Sequence, residues 1–280
     1  MQRPITPGTK LCGVVLHPAG HTRSPAMHNA AFAALGLDAV YLAFDVPPRD
    51  LAAALDGARA LGVRQLAISI PHKVAALGCV HEVDETARSI GAINTATLRD
   101  GRWLGSNTDW LGAVRALERE TRLEGRRAVV LGAGGAARAV VFGLRERGAR
   151  VTVLNRTASR AEAVARELGA DEGGPLERLR DLGWDVLVHT TSVGLRSDAS
   201  LVERAWLRPG AVVLDAVYDP VETRLLRDAR ERGAIAIGGK WMLVHQAAEQ
   251  LRLWSACEPP LDVMADAFDR AGSNEGSQPS

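Results

Sequence analysis

The sequence shows neither an excess of one charge nor a long uninterrupted apolar run. Its 34 basic and 33 acidic side chains give a net charge of +1, so nothing indicates nucleic acid or an anionic membrane as a partner. The 280 residues hold no apolar run that would span a bilayer, and residues 1–10 lack the apolar core of a signal peptide. We expect a cytoplasmic globular protein of one large or two modest domains.

Cysteine is scarce. Cys12, Cys79 and Cys257 are odd in number and stand in apolar surroundings, which predicts small core residues in a reducing cytoplasm rather than disulfides or ligands. A thiol nucleophile is disfavoured, because none stands beside a histidine, a lysine or a helix start in a way that favours a thiolate. The seven histidines show no metal-ligand spacing, so no metal site is expected.

The first hundred residues alternate between strand and helix patterns. Strands are predicted at 11–16, 39–44 and 65–70, with an apolar stretch at 92–98 that reaches a turn at 99–101. Helices are predicted at 25–35, at 49–61 and, as one or two helices, at 72–89; Ser24 is the expected N-cap of the first. This alternation indicates an α/β fold, with a mostly parallel sheet and helices on both of its faces.

A glycine-rich turn begins the second half. A buried strand at 129–131 precedes Gly132, Ala133, Gly134, Gly135 and Ala136, and a helix is predicted at 137–147. Gly132 permits a tight turn, Gly134 lets the backbone approach a pyrophosphate, and the helix N-terminus offers free N–H groups. The pattern predicts the first βα unit of a Rossmann-type dinucleotide-binding domain.

The residues after the next strand, at 150–154, indicate which dinucleotide is bound. An NAD site has an acidic residue there for the ribose 2′-hydroxyl, but this chain continues with Asn155, Arg156, Thr157 and, shortly after, Arg160. Because a guanidinium suits a phosphate, the predicted cofactor is NADP(H). The alternative is two solvated arginines at the start of a helix.

Further alternation predicts the domain organisation. Strands are expected near Val151 and at 185–189, 212–215 and 234–237, and helices at 110–121, 222–232, 240–254 and 261–270. We predict a first domain at 1–108 completed by helices 243–270, a nucleotide-binding domain at 109–242, a cleft between them, and a disordered tail at 271–280.

Lys73 and Asp109 are the candidates for proton transfer. Lys73 follows a predicted strand end, and Asp109 lies just before the second domain, so the two side chains could meet across the cleft. From spacing alone, a solvated lysine and an aspartate that caps the helix at 110–121 are equally compatible with the sequence.

Several segments together resemble the shikimate dehydrogenase family, over about residues 11–261. They are 21–29, 70–73, 91–95, 107–112, 132–136 with 155–157, 191–194, 215–218 and 242–246. The resemblance implies reversible NADP-dependent reduction of 3-dehydroshikimate to shikimate, with Lys73 as general acid/base and Asp109 as its partner. We expect a monomer or a homodimer.

The resemblance also implies the binding residues. Thr22 and Ser24 would bind the substrate carboxylate, and Ser69, Asn94, Asp109, Tyr218 and Gln246 would meet ring hydroxyls. The cofactor set is Gly132, Ala133, Gly134, Gly135, Ala136, Asn155, Arg156, Thr157, Arg160, Ala216 and Gly239. A substrate that lacks a hydroxyl would leave a site group unpaired. Taken singly, Thr22, Ser24 and Asn94 are also good turn or cap residues, and Gln246 suits a wet helix face.

Departures from the family pattern leave the substrate open. The family usually has Ser at Thr22, Thr at Ser69 and Asn at Ala67, and His72 replaces an aromatic or small residue. We expect His72 to be a surface helix residue, with an extra substrate contact as the alternative. Quinate or aminoshikimate remains an alternative substrate, and a non-catalytic NADP-binding regulator remains an alternative function.

Overall fold

The computed structural model describes residues 4–20 and 22–275, with side chains up to residue 272, so His21 and the end of the predicted tail lie outside the described residues. The chain divides into two compact units. One consists of residues 1–108 and 246–280, and the other of residues 109–245.

The described residues form strands in both units. The strands are β1 (Lys10–Leu16), β2 (Ala39–Asp45), β3 (Gln65–Ile68), β4 (Glu82–Val83), β5 (Thr95–Arg99), β6 (Arg102–Ser106), β7 (Arg127–Leu131), β8 (Arg150–Leu154), β9 (Glu172–Gly174), β10 (Val186–His189), β11 (Val212–Asp215) and β12 (Ile235–Ile237). The helices are α1 (Ser24–Leu35), α2 (Leu51–Ala60), α3 (Glu85–Ile90), α4 (Asp109–Glu118), α5 (Gly135–Glu146), α6 (Ala158–Leu168), α7 (Arg224–Glu231), α8 (Gly239–Ser255) and α9 (Leu261–Glu275).

The sheet of the first unit is mixed. Its order is β2-β1-β3-β5-β6-β4, and β5 runs antiparallel to both of its neighbours. Three of its five strand pairs are parallel, so the expected mostly parallel sheet is confirmed, although strand β6 was not predicted. Asp100 and Gly101 both have positive φ, 48° and 74°, as a tight two-residue hairpin requires, and they return the chain directly into β6.

Several helix boundaries in the first unit also differ from the sequence expectation. Ser24 is the first residue of α1, and Arg23 rather than Ser24 occupies the N-cap position. The segment 72–89 holds a 3₁₀ turn (Ala75–Cys79), the short strand β4 and the helix α3. Helix α9 continues through residues 271–275, which were expected to be disordered.

The second unit is a doubly wound parallel sheet. Its order is β12-β11-β10-β7-β8-β9, and every pair is parallel, so the strand order reverses between β7 and β10. In β7, Ala128 and Val130 pack into one apolar cluster, while Val129 and Leu131 pack into another. Burial on both faces explains the uninterrupted apolar run, and the predicted α/β class with a Rossmann-type half is confirmed.

One buried histidine makes the stability of the first unit depend on pH. His28 of α1 stacks on Tyr41 with ring centroids 4.1 Å apart, and burial lowers its pKa to about 3. In the unfolded chain the pKa of this histidine is near its ordinary value of 6.5, so the unfolded state takes up the proton more readily. The free energy of unfolding is therefore highest above pH 6.5 and falls as the pH drops below it. We expect the free energy of unfolding to fall by about 2 kcal/mol between roughly pH 7 and pH 5 through this group.

Urea denaturation of the wild type and of His28→Gln at both pH values measures this contribution. The variant keeps a polar side chain that does not titrate, so the difference between the two proteins isolates His28. An identical pH dependence in both would contradict the assignment.

Candidate functional site

A buried polar network forms around Asn94 in the first unit. The Asn94 amide donates to Thr108 Oγ1 at 2.9 Å and to Gln246 Oε1 at 3.2 Å. Its Oδ1 accepts from the Thr108 backbone N–H and from the Thr95 hydroxyl, both at 2.8 Å. The structure therefore brings together Asn94 and Gln246, two predicted substrate residues that are far apart in the sequence.

Helix α8 extends this network with a residue that sequence reasoning missed. Gln250 Nε2 donates to the Asn94 carbonyl at 3.0 Å and to Thr95 Oγ1 at 3.1 Å. Gln65 Nε2 in turn donates to the Gln250 carbonyl at 2.8 Å. A signal was present, because Gln246 and Gln250 are four residues apart and so share one face of a helix.

The loop after β3 lies beside Asn94. The Ile68 N–H donates to the Asn94 carbonyl at 2.7 Å, and the Ile93 N–H donates to the Lys73 carbonyl at 2.9 Å. Ser69 lies between these points, half-buried, with its N–H on the Val15 carbonyl. Lys73 is half-buried in a turn before the 3₁₀ segment. The sequence had predicted a helix here.

His72 is not a surface residue, which corrects the interpretation that the sequence favoured. Its side chain is buried, and Nε2 donates to the Val46 carbonyl at 2.8 Å. Burial also lowers the pKa of His72. The residue thus anchors the Lys73 loop to the chain that follows β2. Ala67 is buried within β3, opposite Val14 and Thr95.

Thr22 and Ser24 follow β1, which is the parallel neighbour of β3. The Thr22 hydroxyl oxygen accepts the Ser24 N–H at 3.3 Å, so it stabilises the turn into α1. Thr22 is half-buried and Ser24 is buried. Because the carboxyl ends of parallel strands share one edge, the segments after β1 and β3 leave the sheet on the same side.

The glycine turn of the second unit has the geometry that a dinucleotide needs. Gly132 has φ 121°, and a Cβ there would lie 2.6 Å from Thr190 Oγ1. Gly134 is the N-cap of α5, and a Cβ there would meet no atom of the described protein within 4 Å. Packing within the protein therefore does not require glycine at position 134, whereas a phosphate close to the backbone does. Ala133, Gly135 and Ala136 are half-buried beside it.

The segment after β8 presents two exposed arginines. Asn155 Nδ2 donates to the Thr157 carbonyl at 3.1 Å, and Thr157 is the N-cap residue of α6. Arg156 and Arg160 are exposed, and neither forms an ion pair within the described residues. Arg138 of α5, in contrast, pairs with Glu167 at 2.8 Å. The residues present therefore fit a 2′-phosphorylated cofactor.

The remaining predicted residues of this unit lie at its strand ends and helix starts. A Cβ on Gly239 would lie 2.6 Å from the Ala216 carbonyl oxygen, so the start of α8 and the end of β11 touch through backbone. Tyr218 is half-buried two residues beyond Ala216. Asp109 is buried and is the first residue of α4, where a carboxylate is favoured by the helix dipole.

Two other kinds of feature are absent from residues 4–20 and 22–275. No group of three or more His, Cys, Asp or Glu side chains is arranged to hold a metal ion there. In the same residues, no helix combines the length and apolarity needed to cross a membrane.

Fold and site together define an oxidoreductase with a Rossmann-type NADP-binding unit and a substrate-binding unit. Family models agree: residues 14–96 match the shikimate dehydrogenase substrate binding domain, 115–205 match shikimate / quinate 5-dehydrogenase, and 239–267 match the shikimate 5'-dehydrogenase C-terminal domain. The chain belongs to the shikimate dehydrogenase family.

Individual relatives agree over almost the whole chain. The shikimate dehydrogenase (NADP(+)) of Methanothermobacter thermautotrophicus is 44% identical over 95% of this chain and 98% of its own. A solved shikimate dehydrogenase in complex with NADP+ has a TM-score of 0.91 at 38% identity, covering 97% of this chain and 98% of its own. The Thermus thermophilus enzyme in complex with NADP(H) and shikimate has a TM-score of 0.88 at 40% identity, covering 94% and 100%.

Proposed function

We propose that this protein catalyses the reversible NADP-dependent reduction of 3-dehydroshikimate to shikimate. The observation that carries the proposal is the pairing of the Lys73 loop with the Asn94 segment through two backbone hydrogen bonds, Ile93 to Lys73 and Ile68 to Asn94. These bonds join the backbone of the Lys73 loop to the segment that carries the buried Asn94 network, and the relatives of this chain are named for this reaction, which together support the proposal.

The substrate is a small polyhydroxylated acid, and the polar groups suit both of its features. Thr22 and Ser24 supply hydroxyl donors for the carboxylate, from a turn that is already held by their own hydrogen bond. The ring hydroxyls are assigned to a larger set of polar groups. These are Ser69, Asn94, Asp109, Tyr218 and Gln246.

The cofactor is assigned to the second unit. Residues 132–136 take the pyrophosphate on backbone N–H groups, and Asn155, Arg156, Thr157 and Arg160 take the adenosine 2′-phosphate. Ala216 and Gly239 form the backbone surface beside it. The bound dinucleotide supplies or accepts a hydride.

Lys73 moves the proton that accompanies the hydride. In the direction of reduction its ammonium donates a proton to the C3 oxygen as the carbonyl becomes an alcohol, and in the reverse direction its amine accepts that proton. The Asp109 carboxylate stabilises and orients the ammonium. Burial of Asp109 strengthens such an interaction, because little water competes for the carboxylate.

Quinate or aminoshikimate is the alternative substrate. It is favoured by the match to a shikimate / quinate model and by Thr22, Ala67 and Ser69, which depart from the family pattern. The test is NADP⁺ reduction followed by NADPH absorbance, with shikimate, quinate and aminoshikimate presented in parallel to the purified protein. We expect fast turnover with shikimate alone. Preference for another substrate would assign the specificity to Thr22, Ala67 and Ser69, and NADP⁺ binding without any turnover would favour a regulator.

The proposed setting is a reducing cytoplasm, and the proposed active form is a monomer or a homodimer. All three cysteines are free thiols, which is the state that a reducing cytoplasm maintains. Burial raises the pKa of the Cys12 thiol to about 12, which makes this thiol inert.

A further inference from the structure

A buried hydrogen-bonded chain links Asp215, His189 and Thr191 in the second unit. His189 Nδ1 lies 2.8 Å from Asp215 Oδ1, and His189 Nε2 lies 2.6 Å from Thr191 Oγ1. The side chains of His189 and Asp215 are 3% and 1% exposed. None of the roles assigned above uses His189 or Thr191.

The Asp215 carboxylate determines which atoms donate and which accept in these hydrogen bonds. The Asp215 carboxylate also accepts from the Val217 N–H at 3.0 Å and from the Thr223 hydroxyl at 2.6 Å. A carboxylate only accepts, so His189 Nδ1 carries a hydrogen, and the Nε2 of the tautomer with that single hydrogen accepts from the Thr191 hydroxyl. The Thr191 hydrogen is therefore committed to His189, and the Thr191 oxygen keeps its acceptor capacity, part of which takes the Val193 N–H at 3.2 Å.

The hydrogen-bonded series from Asp215 through His189 to Thr191 ends at the point where the strand order of the sheet reverses. His189 is the last residue of β10 and lies opposite Leu131, the last residue of β7. A Cβ on Gly132, the first glycine of the turn, would lie 3.2 Å from Thr191 Cγ2. Ligands of doubly wound sheets bind outside this reversal point. Strand β10 borders β7 on the side away from β8, whose end carries Arg156.

We propose that the Thr191 hydroxyl oxygen contacts the nicotinamide riboside half of the cofactor, and that His189, held by Asp215, is the positioning residue for that hydroxyl. This inference rests on the proposed function for the identity of the cofactor. An acceptor oxygen suits the carboxamide N–H or a ribose O–H and does not suit a phosphate, which has no hydrogen to donate. The side of the sheet and the chemistry of the oxygen therefore point to the same half of the dinucleotide.

Calorimetric titration with NADP⁺ and with adenosine 2′,5′-bisphosphate, which lacks the nicotinamide half, tests the assignment. We expect Thr191→Val to raise the Kd of NADP⁺ about fivefold to tenfold and to leave that of the bisphosphate unchanged. His189→Asn keeps an amide donor for Asp215 but is too short to hold Thr191, so it should give a similar loss. The double variant should be no worse than either single one.

Thr190→Val is the matched control, because the Thr190 hydroxyl donates to the Leu131 carbonyl at 2.7 Å and is used within the protein. It should leave both dissociation constants within about twofold of the wild type. Equal weakening of NADP⁺ and the bisphosphate by Thr191→Val, additive losses in the double variant, or an unchanged Kd of NADP⁺ would overturn the inference. A wild type that binds no NADP⁺ would instead contradict the proposed function.

Discussion

Lys73→Met is expected to lower kcat for shikimate oxidation by about 10³-fold while leaving the Kd of NADP⁺ unchanged. The methionine keeps the length of the side chain but has no proton to exchange. The backbone hydrogen bond from the Ile93 N–H to the Lys73 carbonyl is unaffected by the substitution. Steady-state kinetics with saturating shikimate, together with NADP⁺ titration, measure the two effects separately.

Two further variants separate proton transfer from charge. Lys73→Arg keeps the positive charge, but a guanidinium does not release its proton, so kcat should stay almost as low as in Lys73→Met. Lys10→Met is the matched control, since Lys10 stands at the start of β1 near the Trp254 ring and has no assigned role. Normal turnover in Lys73→Met would refute the proposed mechanism, and substantial activity in Lys73→Arg would reduce the role of Lys73 to electrostatics.

Arg156→Ala is expected to raise the Kd of NADP⁺ roughly 10- to 100-fold and to change that of NAD⁺ by no more than about twofold. Only NADP⁺ carries the 2′-phosphate, and Arg156 forms no ion pair with another described residue that its removal would break. Fluorescence titration of both dinucleotides gives the two constants. Adding Arg160→Ala should lower the preference for NADP⁺ further.

Arg166→Ala provides the comparison on the same helix. Arg166 is an exposed residue in the last turn of α6, whereas Arg160 lies in the first turn. The Arg166 variant should bind both dinucleotides as the wild type does. Parallel losses for NADP⁺ and NAD⁺ in Arg156→Ala would show that Arg156 supports the site as a whole and does not recognise the phosphate.

Local sequence predicted the second unit well because its defining features are contiguous. A buried strand, a glycine turn and a helix follow one another within residues 127–146, and packing on both faces of β7 leaves an apolar run visible in the sequence. The first unit was harder to predict. The turn at Asp100 and Gly101 was recognised, yet the strand after it, which pairs antiparallel with β5, was not.

The site residues show the same limit. The segments that carry Lys73, Asn94 and Gln246 were recognisable by resemblance, but the bond from Asn94 to Gln246 joins residues 152 positions apart and leaves no local signal. His72 was misassigned because its partner is the Val46 carbonyl, and a backbone group looks the same in every sequence. Which nitrogen or carbonyl a polar side chain meets is decided by tertiary packing.

The network around Asn94 also changes how this corner of the site discriminates between ligands. Both hydrogens of the Asn94 amide and its oxygen are already engaged by Thr108, Gln246 and Thr95. A ligand hydroxyl that binds here therefore replaces an internal hydrogen bond and does not satisfy an orphaned group. An analogue without that hydroxyl leaves the hydrogen bonds within the protein intact, so Asn94 tolerates a missing hydroxyl. Other residues of the site therefore discriminate against such an analogue.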